Sequence, residues 1–154
     1  MKIIYVHHGQ RDVKGAPSQD DGLTMIGVQD CELVAKILES APFVGKIKAI
    51  YTSTFFRCKK TAEIINKRLD AKIVEDVRLN EFKSFENETW TECQKRIIAC
   101  IDDIVKAHEA DDVVVCVTSG VNLGAFICRA YGLEPSEKTP FLGVPSCSPI
   151  VFEV

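Results

Sequence analysis

Val113–Val117 reads VVVCV, five apolar residues in succession, four of them β-branched. Neighbouring side chains of a strand point to opposite faces, so such a run is stable only where both faces are covered. Lys2–His7 (KIIYVH) repeats the pattern through Ile3, Ile4, Tyr5 and Val6, and the chain turns at Gly9. Two doubly covered strands this far apart in sequence require a sheet with helices on both sides. Strands of that kind run parallel and are joined by helical crossovers.

The segments between them fit. A polar loop runs from Gln10 to Gly22. Thr24 then opens a helix in which Met25, Val28, Leu33, Val34, Ile37 and Leu38 recur at helical spacing, ended by Pro42 and Gly45. Lys48–Thr52 reads as a second strand. Thr54 starts a helix carrying Arg57, Thr61, Ala62, Ile64, Ile65 and Leu69, and Ala71–Val74 is a short third strand. Arg78–Glu88 is polar and irregular. Thr89–His108 is the longest helix, with Trp90, Cys93, Ile97, Ile98, Ile101, Ile104 and Val105 facing inward. After Val113–Val117, the residues Thr118, Ser119 and Gly120 form a turn. Asn122–Tyr131 is helical and Gly132 sits at its C-cap. Pro135–Ser148 reads as loop and Ile150–Val154 as a last strand. The alternation predicts a three-layer α/β/α sandwich with a mostly parallel sheet, residues 1–154 forming one domain.

Composition narrows the function classes. A formal net charge of −3 argues against general nucleic-acid binding, which needs clustered Lys and Arg. No apolar stretch approaches the roughly 20 residues of a membrane span, and Ile3–Val6 is too short for a signal peptide, so the chain reads as soluble and unprocessed. The seven cysteines are odd in number and lack a CxxC pair, which fits neither a disulfide framework nor a zinc ribbon. They read as small buried hydrophobes in a reducing cytoplasm.

In open parallel sheets, ligands bind beyond the carboxyl ends of the strands. Three loops lie there: His7–Gly9, Ser53–Arg57 and Thr118–Gly120. His7 and His8 stand together after the first strand, as nucleophile, acid–base, metal ligand or hydrogen-bonded strand closure. Arg57, one turn into its helix, is placed either to fork onto an anion above the sheet or to pair on the surface with an acid such as Glu63. Cys116–Asn122 (CVTSGVN) has the loop length of a cysteine phosphatase, but Asn122 stands at the arginine position and Cys116 lies inside the apolar strand. His108 reads as solvated. Regularly spaced metal ligands, a P-loop and GxGxxG are all missing.

Read together, these segments resemble the histidine phosphatase superfamily, the phosphoglycerate mutase-like family, over nearly the whole chain. HHGQ at His7–Gln10 resembles the opening Arg-His-Gly motif, and LTMIGVQ at Leu23–Gln29 resembles the Leu-Thr-x-x-Gly-x-x-Gln stretch. IYTSTFFRCKKTAEII at Ile50–Ile65 resembles the Ser-Pro-x-x-Arg-x-x-x-Thr-Ala segment. RLNE at Arg78–Glu81 resembles the acid motif, and VVVCVTSGVNLGAFICRAYGL resembles the strand–turn–helix that holds Ser-His-Gly. The resemblance implies that His8 attacks a phosphoryl group and becomes phosphohistidine. It implies that Arg57 binds phosphate and that Glu81 protonates the leaving oxygen, with no metal or cofactor. The implied substrates are phosphorylated small molecules or phosphoproteins, as in the small phosphatase branch.

Two departures stand out. His7 replaces the motif arginine and Ser119 replaces the second histidine. His7, Arg57, Ser119 and Gly120 then form the expected phosphate-binding set, with Arg11 or Lys14 as possible substitutes for the lost cation. The sequence thus supports two readings: a phosphatase of reduced activity, or an inactive relative that binds phosphorylated ligands or a protein partner as a regulatory module.

Overall fold

A computed structural model describes residues 1–13, 22–83 and 86–154. Strands β1 (Lys2–His7), β2 (Ile47–Thr52), β3 (Lys72–Glu75), β4 (Val113–Thr118) and β5 (Pro149–Glu153) form one sheet in the order β3-β2-β4-β1-β5. The pairings β1–β4, β2–β4 and β2–β3 are parallel, and β5 runs antiparallel to β1 at the edge. Helices α1 (Met25–Glu39), α2 (Phe56–Leu69), α3 (Trp90–Lys106) and α4 (Leu123–Tyr131) supply the crossovers.

The alternation within β1 and β4 divides the core. Ile3, Tyr5, Val114 and Cys116 pack with Trp90, Ile97, Ile101 and Phe126 from α3 and α4. Ile4, Val6, Val115 and Val117 face the other way, onto Val34 and Leu38 of α1 and Ala62 and Ile65 of α2. The expected three layers are present, and every residue of β4 is buried. Among the described residues no helix is long and apolar enough to cross a membrane.

Several boundaries move, each for a physical reason. Helix α2 begins at Phe56 rather than Thr54, because the hydroxyls of Ser53 and Thr54 bond the Asn80 side chain instead of capping the helix. Helix α3 ends at Lys106, and His108 is not solvated: its ring bonds the Tyr51 hydroxyl (3.0 Å) and Asp112 (3.3 Å). Its start is fixed by a capping box between Thr89 and Glu92. On α1 the buried residues are Gly27, Cys31, Val34, Ala35 and Leu38, whereas Met25, Leu33 and Ile37 are exposed. The Arg78–Glu88 region is not wholly irregular, since its first residues fall in a 3-10 turn at Val77–Leu79. Another 3-10 turn, Gly120–Asn122, leads into α4. Gly132 caps α4 in the left-handed region, at φ 64°.

One glycine fixes the loop that follows β1. A Cβ on Gly27 would lie 2.5 Å from the Gln10 carbonyl oxygen and 2.8 Å from its amide nitrogen. Both are backbone atoms and cannot swing aside. Alanine is the better helix former by about 1 kcal/mol, yet Gly27→Ala should destabilise the fold by about 1–3 kcal/mol through this overlap. Urea denaturation measures it, and a variant as stable as wild type would contradict the close approach.

Candidate functional site

The carboxyl ends of β1, β4 and β2 lie side by side: His7 pairs with Thr118, and Val117 with Thr52. His8 continues the ladder, its amide donating to the Thr118 carbonyl (3.0 Å). This register brings the His7–Gly9, Ser53–Arg57 and Thr118–Gly120 loops to one mouth.

His8 is buried and held from both sides. Its Nδ1 lies 2.8 Å from the Gly9 carbonyl, which can only accept, so Nδ1 carries the proton. The other nitrogen, Nε2, accepts from Arg57 Nε at 3.1 Å. Burial first, then the neighbouring His7, Arg57 and Arg11, push the His8 pKa down to about 3 against the Gly9 bond. His8 is therefore a neutral imidazole with its lone pair at Nε2, the form a nucleophile needs.

Arg57 is the largest fully buried side chain, 2% exposed. It pairs not with Glu63, whose partner is Lys60, but with Glu81, through Nη2 and Oε2. Its guanidinium carbon also lies 4.6 Å from the centre of the Phe55 ring. Helix α2 aims it: Thr61 Oγ1 donates to the Arg57 carbonyl (2.8 Å) and accepts from the Gly9 amide (2.9 Å), tying the helix to the loop after β1.

His7 lies edge-on to His8, ring centres 4.5 Å apart. Its Nδ1 donates to the Val144 carbonyl (2.9 Å). Burial lowers its pKa most, against the bond to Val144, so it is neutral near pH 7. The ring packs on Gly120, where a Cβ would meet His7 Cε1 at 2.9 Å. Ser119 is 1% exposed, its Oγ has no hydrogen-bond partner among the described residues, and its carbonyl accepts from the Tyr5 hydroxyl (3.0 Å). Arg11 forms an isolated bridge to Leu23 and is close enough for its charge to act on His8. Lys14 lies outside the described residues.

A buried polar network that the sequence reading missed holds the Glu81 segment. Asn122 Nδ2 donates to the carbonyls of Leu79 and Asn80, both at 3.1 Å, and to Thr118 Oγ1 at 2.8 Å. Arg96 adds a bond to the Asn80 carbonyl (3.0 Å). The Asn80 side-chain oxygen collects Ser53 Oγ, the Thr54 amide and Thr54 Oγ1. The Glu81 segment is thus clamped to the ends of β2 and β4. The only clue in sequence is the adjacency of Asn80 to Glu81. Among the described residues, no group of three or more His, Cys, Asp or Glu could hold a metal ion.

The model of the histidine phosphatase superfamily (branch 1) matches residues 3–92 and 81–154. No curated protein matches the sequence. Among solved structures, YhfR of Bacillus stearothermophilus superposes with a TM-score of 0.81 at 24% identity, covering 99% of this chain and 91% of that one. The mycobacterial glucosyl-3-phosphoglycerate phosphatase in complex with VO3 gives 0.78 at 19% identity, covering 97% and 90%. A phosphoserine phosphatase mutant from Entamoeba histolytica, bound to phosphoserine, gives 0.73 at 18%, covering 97% and 89%.

The histidine pair leaves a mark on acid stability. The folded chain keeps His8 neutral to about pH 3, whereas the unfolded chain takes up the proton near pH 6.5. Below pH 6.5 the unfolded state binds more protons, so stability falls as pH falls, by up to about 1.4 kcal/mol per pH unit for each imidazole. His7 acts in the same direction. Urea midpoints between pH 7 and 5 should drop, and His8→Gln should flatten the slope by close to one proton. An unchanged slope in the variant would contradict the buried neutral imidazole.

Proposed function

The chain belongs to the histidine phosphatase superfamily, and we propose that it is a phosphatase-like protein acting on a phosphate monoester or phosphoprotein through His8. The observation that carries the reading is the bonding of His8: Nδ1 tied to Gly9 and Nε2 turned to the buried Arg57. In this reading Nε2 attacks phosphorus, Arg57 stabilises the equatorial oxygens, and Glu81 protonates the leaving oxygen. Glu81 then takes a proton from water as it attacks phosphohistidine, releasing phosphate. The chain's free cysteines support a reducing, cytoplasmic setting.

Activity is low in this proposal. A neutral His7 stands where the family motif has a permanent cation, and Ser119 offers a hydroxyl where it has a second imidazole. Losing one such donor costs about 10²–10³ in rate. Arg11, whose charge reaches His8, compensates in part. A second reading, a binding module for phosphorylated ligands, is favoured by one feature: Glu81 already engages Arg57.

A panel of phosphate esters separates the two. Weak turnover that disappears in His8→Ala is the expected result. Restoring both groups, in His7→Arg with Ser119→His, should raise kcat about 10²-fold. Phosphate binding with no turnover in either wild type or the double variant would establish the binding module instead.

A further inference from the structure

Cys31, on α1, and Cys147, in the segment before β5, are 116 residues apart in sequence, yet their Sγ atoms lie 3.4 Å apart. The other cysteines are buried, whereas Cys147 is only partly buried. The pair adjoins the candidate site from below. A Cβ on Gly9 would meet Cys31 Sγ at 2.8 Å, and Cys31 Sγ lies 3.7 Å from Thr61 Oγ1, the same atom that accepts from the Gly9 amide. The Cys147 amide donates to the His7 carbonyl at 2.9 Å. Val144, three residues earlier, holds the His7 ring.

We infer that Cys31 and Cys147 form a reversible oxidation site for hydroperoxides, a disulfide that ties α1 to the segment holding His7. The Cys147 sulfur attacks the distal peroxide oxygen as its proton passes to the Cys31 thiolate across their shared hydrogen bond. The O–O bond breaks, and the other oxygen leaves as alcohol, or as water from hydrogen peroxide. Cys147 is then a sulfenic acid. The Cys31 sulfur attacks Cys147 Sγ, the S–O bond breaks, and hydroxide leaves as water with the Cys31 proton. Two thiols lose two electrons and the peroxide gains them. A thiol reductant reverses the bond by exchange.

The surroundings suit this. The two sulfurs share one hydrogen bond, which lowers the Cys31 pKa and raises that of Cys147. Cys31 is the sulfur that gives up its proton first, and the remaining proton is shared between the two sulfurs. Cys147 sits in the left-handed backbone region, φ 56°, which non-glycine residues seldom adopt. Its position against the two histidine carbonyls is set by the contacts around it. This chemistry does not depend on turnover at His8.

The test treats reduced, folded wild-type protein with hydrogen peroxide, alkylates it, unfolds it and maps the peptides. Five of the seven thiols should remain, with the Cys31 and Cys147 peptides joined, and dithiothreitol should return all seven. Cys147→Ser should block the bond, and Cys58→Ala should not. In imidazole nitrogen spectra His7 should shift on oxidation and recover on reduction. His108, bonded to Tyr51 and Asp112 beyond the opposite end of β4, should stay in place. Seven thiols persisting, a bond between other cysteines, or Cys147 driven to sulfinic acid while Cys31 stays alkylatable would each overturn the site. The wild-type map alone decides it if a variant fails to fold.

Discussion

A buried guanidinium organises this molecule. Arg57 is removed from water almost completely, and a charge so placed is stable only with partners. Two of its partners come from distant parts of the chain, the His8 ring after β1 and the Glu81 carboxylate before α3, and the third, the Phe55 face, lies two residues away. Meeting the needs of one cation thus draws three loops together. Burial above all, then His7, keeps the histidine neutral, and the cation beside Nε2 adds to this by opposing a second proton there.

Rigidity around this cation comes from neutral hydrogen bonds. Thr61 ties helix α2 to Gly9, and Asn122 ties the start of α4 to the backbone before Glu81. Glu81 is one-third exposed, so it meets both the buried arginine and solvent. In the proposed mechanism that position lets Glu81 exchange protons with a substrate and then with water. His8 and Arg57 are buried, and Glu81 sits at the rim.

Much of this was legible in sequence, and the reasons differ by residue. The Val113–Val117 run could only be a doubly covered strand, so the three layers followed. His8 and Arg57 were placed together because both follow parallel strands, and 3.1 Å separates them. The Arg57 partner was not legible: Glu63 shares its helix, but the helix turns Glu63 outward to Lys60. Asn80 stood out only as part of RLNE and Asn122 only as the start of a helix and the residue at the cysteine-phosphatase arginine position, since burial of one polar residue leaves no periodic trace. On α1, the stripe containing Leu33 and Ile37 suggested a core face, yet the contact runs through Gly27 and Cys31 because the β1 loop presses close there. The Cys31–Cys147 approach joins segments with no shared pattern.

The central claim is that His8 is held as one neutral tautomer, protonated at Nδ1 and accepting at Nε2 from Arg57. Nitrogen-15 imidazole spectroscopy reads this directly, with His8→Gln assigning the resonance. The account predicts a protonated Nδ1 and an unprotonated, hydrogen-bonded Nε2 at pH 7, unchanged down to pH 5. Arg57→Lys should move the Nε2 signal, because lysine lacks the fork that reaches both His8 and Glu81. A His8 ring that carries its proton on Nε2, or that becomes doubly protonated near pH 6, would contradict it.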